Sequence, residues 1–201
     1  MKMIKTITST ALLLCATSLA QATVVIQSYA SNTGFDFDYG TWPGQLTLST
    51  TGIEIAGTAT NSGGGGNNLS PLDLTGESTL EITAQILPGN ASSNFNVILF
   101  TTPGTTPGVS SGYQFSFADF NGASFTNVGL SLASPTFNGA NGPADLSNIT
   151  QIQIQGTFAD TNAFALKVQS VQAVPEPANI ALVLGTSFLG FVIFRRRILQ
   201  R

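Results

Sequence analysis

The chain has 201 residues, only 8% of them Asp, Glu, Lys or Arg, and it contains no histidine. The lack of histidine excludes a Ser-His-Asp or Cys-His catalytic arrangement and a His-ligated zinc or iron site. The single cysteine, Cys15, lies in an apolar N-terminal stretch, so the rest of the chain has no cysteine for a disulfide or a thiolate metal site.

The charges are unevenly distributed along the chain. Six of the seven basic residues lie in the first five or the last seven positions, and only Lys167 lies between them. Residues 23–173 carry nine acidic residues and that one lysine, which leaves a net charge of about −8. A domain with one lysine and no arginine lacks the positive surface that binds phosphates, so we expect no nucleic-acid partner.

The N-terminus has the three parts of a signal peptide. Two lysines precede the apolar stretch 11–16, and Ala20-Gln21-Ala22 follows. A basic start, a short apolar segment and a small-x-small site are typical of export through the Sec translocon. We predict a signal peptide helix within residues 1–22, cleaved by signal peptidase after Ala22, with Ala20 as the second candidate. The alternative, a short membrane anchor, is disfavoured because the stretch is well below the ~20 residues of a membrane span.

Short runs in which apolar and polar residues alternate occupy residues 23–173. Such runs, separated by Gly, Pro, Asn and Ser clusters, are typical of half-buried antiparallel strands. Residues 97–100 are all apolar, which predicts a central strand over Asn96–Phe100. We therefore expect an all-β domain folded as an antiparallel two-sheet β-sandwich. The alternating runs are Phe35–Tyr39, Gln45–Ser49, Gly52–Ala56, Thr79–Ile86, Tyr113–Phe117, Val128–Leu132, Ile152–Gln155 and Phe164–Val171.

Three segments between these runs are predicted to be loops. Asn61–Asn68 contains four consecutive glycines and is predicted to be a flexible turn. Thr101–Gly108 repeats the unit Thr-Thr-Pro-Gly, which indicates the tip of a hairpin. Phe137–Pro143 is rich in Asn and Gly and is predicted to be a further loop.

Two features of the first strands are candidate binding sites. Trp42, the only tryptophan, lies between glycines, where it would stack on a sugar ring if exposed or cap the core if buried. Asp36 and Asp38 share one strand face, opposite Phe35, Phe37 and Tyr39. The two carboxylates would either ligate calcium with loop carbonyls or form a charged solvent face that prevents edge pairing.

A catalytic carboxylate pair would need two acids on facing elements. Candidates exist, but no Arg or His is near them to clamp a substrate or tune a pKa. The sequence therefore favours a non-catalytic protein, without metal or cofactor, over a glycan-cleaving enzyme. The available acids are Glu54, Asp73, Glu77, Glu81 and Asp119.

The C-terminus combines a proline-rich motif, an apolar segment and a basic end. Residues 178–194 carry no charge, and as a helix their 17 residues span about 25 Å, close to the ~30 Å of a bilayer core. We predict a transmembrane helix there, with the basic end in the cytoplasm and the folded domain outside. The motif and the orienting basic residues are Val174, Pro175, Glu176, Pro177, Arg195, Arg196 and Arg197.

Residues 174–201 resemble the PEP-CTERM sorting tails, because the proline-rich motif, the apolar segment and the basic end occur in the same order. The resemblance implies that exosortase, a membrane transpeptidase-like enzyme of Gram-negative bacteria, recognises Pro175-Glu176-Pro177 as its substrate. It also implies an inner-membrane intermediate, followed by location at the cell surface or in an extracellular matrix of exopolysaccharide or biofilm. The alternative is a single-pass anchor with a proline-rich hinge.

The distal half of the middle region carries a second resemblance. Its segments resemble, in their order, the closing strands of jelly-roll, galactose-binding-like carbohydrate-binding domains. The segments are a strand that ends at Leu132, a long loop, Asp145–Ile149, Ile152–Gly156 and Phe164–Val168. Those families often carry an acid in the last strand, where this chain has Lys167 and Gln169. We expect a jelly-roll-like fold and a non-catalytic surface or matrix protein associated with exopolysaccharide. The alternative is a carbohydrate-binding module.

Overall fold

The computed structural model describes residues 23–57, 63–101, 108–157 and 160–175. Within these ranges Thr23–Val174 constitutes one compact unit, built from strands and one short 3-10 turn at Phe117–Asp119. The strands are β1 (Val24–Ser28), β2 (Phe37–Tyr39), β3 (Leu46–Ser49), β4 (Gly52–Gly57), β5 (Gly64–Leu72), β6 (Thr79–Ile86), β7 (Asn94–Phe100), β8 (Ser110–Ser116), β9 (Thr126–Ser131), β10 (Phe137–Asn138), β11 (Ile149–Gly156) and β12 (Phe164–Val174).

These strands form two antiparallel sheets of six strands each. Sheet 1 has the order β3-β4-β12-β6-β9, and β1 also pairs with β12. Sheet 2 has the order β10-β8-β7-β11-β5-β2, which places the apolar strand β7 in its interior. The predicted two-sheet antiparallel β-sandwich is therefore confirmed.

The core lies between the sheets and is formed by alternate residues of each strand. Because side chains of a strand point to opposite faces in turn, the apolar set of every alternating run lies on one side. In sheet 1 this set includes Ile53, Ile82 and Leu166, which are fully buried. In sheet 2 it includes Val97 and Ile154, which are equally buried. The outer faces carry mostly polar residues, and the apolar side chains on the outer face of sheet 2 include Ile98, Phe37 and Phe137.

Several strands lie where the sequence pattern did not predict them. The glycine-rich segment was predicted to be a flexible turn, and this prediction is wrong for Gly64–Asn68, which belong to β5. Phe137 and Asn138, predicted to lie in a loop, form the short edge strand β10 against β8. The first strand, β1, was not predicted at all and pairs with the end of β12, with Val24 opposite Ala173.

The two terminal segments lie largely outside the described residues. Val174 is the last residue of β12, and its carbonyl accepts hydrogen bonds from the backbone N and the Oγ of Ser78, at 3.0 and 3.3 Å. Pro175 follows it, whereas Ala20, Ala22, Glu176, Pro177 and Arg195–Arg197 are not described. Among the described residues, no helix is long and apolar enough to cross a membrane.

Candidate functional site

The outer face of sheet 2 is lined by side-chain amides. On β11 the inward residues are Ile152 and Ile154, so Gln151, Gln153 and Gln155 point outward. Strand pairing extends this set to both sides of β11. Asn68 of β5 lies opposite Gln151, Asn96 of β7 lies opposite Gln155, and Gln114 of β8 lies opposite Asn96.

Hydrogen bonds hold five of these amides, all except Gln155, in fixed orientations. Gln153 Nε2 donates to Gln151 Oε1 at 3.0 Å, and Gln151 Nε2 donates to Asn68 Oδ1 at 3.0 Å. Across the neighbouring strands, Gln114 Nε2 donates to Asn96 Oδ1 at 3.5 Å. An amide that is held by its neighbours loses less rotamer entropy when a ligand binds, so the face is preorganised for hydrogen bonding.

An aromatic side chain lies on this face at each edge of sheet 2. Tyr39 of β2 lies over Gly64, and its hydroxyl donates to Gln153 Oε1 at 3.1 Å. At the opposite edge, the ring of Phe137 in β10 lies over Gly112 of β8 and is 39% exposed. The two glycines let the rings lie close to the backbone, because a Cβ atom at either position would overlap the ring above it. Each ring therefore rests directly on the sheet backbone.

The same explanation accounts for the error at the glycine-rich segment. Added methyl groups at Gly63, Gly64 and Gly65 would overlap Trp42, Tyr39 and Phe35 respectively. The glycines alternate between faces, so Tyr39 lies outside while the other two rings lie inside. Composition suggests flexibility, but in this strand the glycines provide space for aromatic rings.

The centre of the outer face is less exposed than its margin. Asn96 is 7% exposed and Gln151 is 6% exposed, against 39% for Phe137 at the edge. Ile98, which lies between them on β7, is also buried. A ligand that spans the face would meet a row of amides flanked by rings.

No outer-face position of the described sheet 2 strands carries a charged side chain. The nearest acid in sequence, Asp36, lies at the margin, where its Oδ2 accepts a hydrogen bond from the backbone N of Asn68 at 2.8 Å. Burial raises the pKa of Tyr39 above its ordinary value of about 10, so its hydroxyl stays neutral. The face is therefore uncharged at neutral pH.

Trp42, the sequence-predicted sugar contact, is fully buried. Its indole stacks on Phe35 at 6.3 Å between ring centroids and packs against Phe164 at 5.2 Å. Stacking on a sugar requires an accessible ring face, so Trp42 does not serve as a sugar platform in this structure. It caps the core, which was the alternative interpretation of this residue.

Of the arrangement predicted around Asp36 and Asp38, the part within β2 is confirmed: Asp38 lies on the opposite side of the strand from Phe37 and Tyr39. Phe35 precedes β2 and turns into the core against Tyr29, while Phe37 lies on the outer face, opposite Gly66. Asp36 is engaged with β5, and Asp38 is exposed. Within the described ranges, no group of three or more His, Cys, Asp or Glu residues is arranged to hold a metal ion.

The acids considered for catalysis are distributed over separate elements. Glu54 forms an ion pair with Lys167 at 2.8 Å on the outer face of sheet 1. Glu81 on the same face accepts hydrogen bonds from Asn127 and Gln172, both at 2.8 Å. Asp73 Oδ1 accepts from the backbone N of Thr75 at 2.9 Å in the turn after β5. These contacts are structural, and they lie away from the amide face of sheet 2.

Comparison with known proteins identifies the fold. The chain matches no protein-family model and no curated protein sequence. It is similar to the solved family 11 carbohydrate-binding module of a cellulosomal cellulase of Clostridium thermocellum, with a TM-score of 0.54 and 13% identity. That match covers 77% of this chain and 95% of the module. The chain thus shares the jelly-roll sandwich of a carbohydrate-binding module.

Two further solved structures show the same likeness. A structure of the family 11 module in complex with a β-1,3-1,4-mixed-linked tetrasaccharide matches with a TM-score of 0.50 and 13% identity, over 76% of this chain and 95% of the module. The agarase AgWH50C matches with a TM-score of 0.54 and 13% identity, over 78% of this chain. Only 25% of the agarase is covered, so the likeness concerns one part of that enzyme.

Proposed function

We propose that this protein is an exported, non-catalytic carbohydrate-binding protein whose glycan lies on the outer face of sheet 2. The observation that carries the proposal is the uncharged array of hydrogen-bonded amides between Tyr39 and Phe137. The jelly-roll fold shared with carbohydrate-binding modules supports it.

The amides suit the hydroxyl groups of a sugar. Each Asn or Gln side chain both donates and accepts hydrogen bonds, and a sugar hydroxyl does the same. Because Gln151 and Gln153 are already oriented by their neighbours, few rotamers are lost when a glycan binds. Hydroxyls therefore replace water on this face at low entropic cost.

The aromatic rings supply the apolar contact. The faces of a sugar ring bear C–H groups, which pack against the flat face of an aromatic side chain. Tyr39 and Phe137 lie directly over Gly64 and Gly112, so no side chain of the strand beneath separates either ring from the backbone. This support keeps the rings available to sugars instead of letting them fold into the core.

The terminal segments extend the proposal to the place where the protein acts. The Sec translocon would export it, signal peptidase would cleave after Ala22, and exosortase would process the tail near Pro175-Glu176-Pro177. The mature protein would then reside at the cell surface or in the matrix, where exopolysaccharide is the available glycan. The support for this part is the sequence of the two ends alone. Mass spectrometry of the surface protein tests it, and a C-terminus intact through Arg201 in cells that contain exosortase would contradict processing.

Substitution of the edge aromatics tests the binding site. We expect Tyr39→Ala and Phe137→Ala each to weaken glycan affinity about tenfold, which corresponds to about 1.4 kcal/mol. The measurement is binding of the full-length protein to immobilised polysaccharides, in a detergent without a sugar headgroup. Leu48→Ala is the matched control, because Leu48 is a 48% exposed apolar residue on an edge strand of sheet 1.

The outcomes separate the site from nonspecific adsorption. Loss of binding in the two sheet 2 variants, with Leu48→Ala unchanged, supports the proposed face. Equal losses in all three variants, or none in any, would place glycan binding elsewhere. Thermal melts confirm that each variant is folded.

A further inference from the structure

The side chains of the outer face of sheet 2 specify the charge class of the glycan. A carboxylate or sulfate group moved from water onto a partly buried surface needs a cation to offset its lost hydration. In the compact unit Thr23–Val174 the sequence contains no arginine, and its one lysine, Lys167, is on sheet 1 in an ion pair with Glu54. The face of sheet 2 therefore has no cation to offer an acidic sugar.

A cationic glycan finds no complement there either. An amino sugar would require a carboxylate on the face, but Glu54 and Glu81 lie on the outer face of sheet 1, and Asp38 lies on the opposite side of β2 from Phe37 and Tyr39. Asp36, at the margin of sheet 2, is held by the backbone N of Asn68. The amides that remain have both a donor and an acceptor and carry no charge, which matches an unmodified hydroxyl.

The positions of the two rings specify the direction and the length of the ligand. Tyr39 belongs to β2 and Phe137 to β10, the two edge strands of sheet 2. Their rings lie over Gly64 of β5 and Gly112 of β8, and these two strands are three spacings of about 4.8 Å apart, so roughly 14 Å separates the rings across the strands. The amides of β11 and β7 lie between the two rings. One monosaccharide cannot touch both edges, whereas a chain of several sugar rings can.

We infer that the ligand is an uncharged polysaccharide, bound as an extended chain that crosses the strands of sheet 2 from Tyr39 to Phe137. This inference rests on the proposed function and adds the substrate class and the binding direction. The net charge of about −8 in residues 23–173 adds to the exclusion of acidic glycans, because it repels polyanions at low salt.

The test presents the full-length protein with an array that holds neutral, uronic-acid and amino-sugar glycans, each as monosaccharide and as longer chains. We expect binding only to uncharged chains of several sugars, with less than about a twofold change between low and moderate salt. Phe137→Ala should weaken binding to long chains, and the variant Gln155→Lys should add binding to a polyuronate that salt abolishes. Gln155 suits this test because it lies on the face beside Asn96 and not in the amide chain of Gln153, Gln151 and Asn68.

Each contrary result has a distinct meaning. Binding to acidic or amino-sugar glycans that falls steeply with salt would overturn the charge class and leave carbohydrate binding intact. Equal binding of monosaccharides and long chains, unaffected by Phe137→Ala, would overturn the cross-strand direction. The absence of binding to any glycan on the array would overturn the proposed function together with this inference.

Discussion

The two outer faces of this sandwich have similar strand geometry and different chemistry. On sheet 1, Glu54 pairs with Lys167, and Glu81 is hydrogen-bonded to Asn127 and Gln172. The outer face of sheet 2 has amides, small residues, Ile98 and the rings of Phe37, Tyr39 and Phe137, and none of its described positions is charged. Charge on a solvent face favours solubility and disfavours edge pairing, whereas uncharged hydrogen-bonding groups suit a neutral ligand. The difference supports the proposal that a glycan binds on sheet 2 and not on sheet 1.

The largest expected loss of stability comes from a substitution in the core, not on either outer face. The smaller effects of the face substitutions are compared with it. Trp42→Ala should lower the free energy of unfolding by about 3–5 kcal/mol, because it removes a fully buried ring that packs against Phe35 and Phe164. Denaturant unfolding measures the loss. Glycan affinity of the folded protein should stay unchanged. A selective loss of affinity with normal stability would restore Trp42 as a sugar contact.

The fold was largely predictable, because the core residues repeat with a period of two. Thr79–Ile86 and Phe164–Val171 were predicted as strands, and both run through the middle of sheet 1. β5 was missed because glycines normally indicate loops, and their function here depends on rings distant in sequence. That relation between Gly64 and Tyr39 exists only once β2 and β5 pair.

The candidate site was only partly predictable. A lone tryptophan attracted the sugar-binding interpretation, but burial depends on tertiary packing that one residue type does not reveal. A signal was nevertheless present in the run Ile152-Gln153-Ile154-Gln155, whose polar face consists of amides and not of charges. The two edge rings could not be assigned from the sequence, because Phe137 lies in a two-residue strand.

A substitution in the amide row of sheet 2 is expected to have an intermediate effect on stability and also to weaken glycan binding. Gln151→Ala should lower the free energy of unfolding by about 1–3 kcal/mol, because it leaves Gln153 and Asn68 without their partner. It should also weaken glycan binding, since Gln153 loses its orientation. The measurements are a denaturation curve and a binding isotherm on the same variant. Unchanged affinity in a destabilised Gln151→Ala protein would show that the amide ladder is structural only.

The matched control on sheet 1 is Lys167→Met. Its ammonium group pairs with Glu54, whose side chain is 32% exposed, so we expect a cost of about 1 kcal/mol or less. Glycan affinity should not change, because the pair lies on the other face. An affinity loss like that of Gln151→Ala would remove the distinction between the faces.

The smallest effect is expected from pH. Because the face of sheet 2 is uncharged and burial raises the pKa of Tyr39, glycan affinity should be constant from about pH 5 to 9. Stability should respond at the acidic end. The backbone N of Asn162 is the main cause of the lowered pKa of Asp160, so that contribution is complete above about pH 4 and is lost as the pH falls through the lowered value.

Binding isotherms and thermal melts across this range check both statements. A titration of affinity near pH 6 or 7 would point to a charged group in the ligand, since the sequence has no histidine. Stability that begins to fall well above pH 4 would contradict the assignment to carboxylates with lowered pKa values.

The glycines before and within β5 are subject to two different kinds of selection, one for folding and one for ligand binding. Substitution at Gly63 or Gly65 meets the indole or the phenyl ring of the core, so folding removes such variants regardless of what the protein binds. Substitution at Gly64 meets only Tyr39, on the other side of the same backbone. On the proposed function, one mutation there would tilt the ring and change which glycan fits, while the core is preserved. Gly64 is thus a position at which descendants of this protein can acquire new ligands without first becoming more stable.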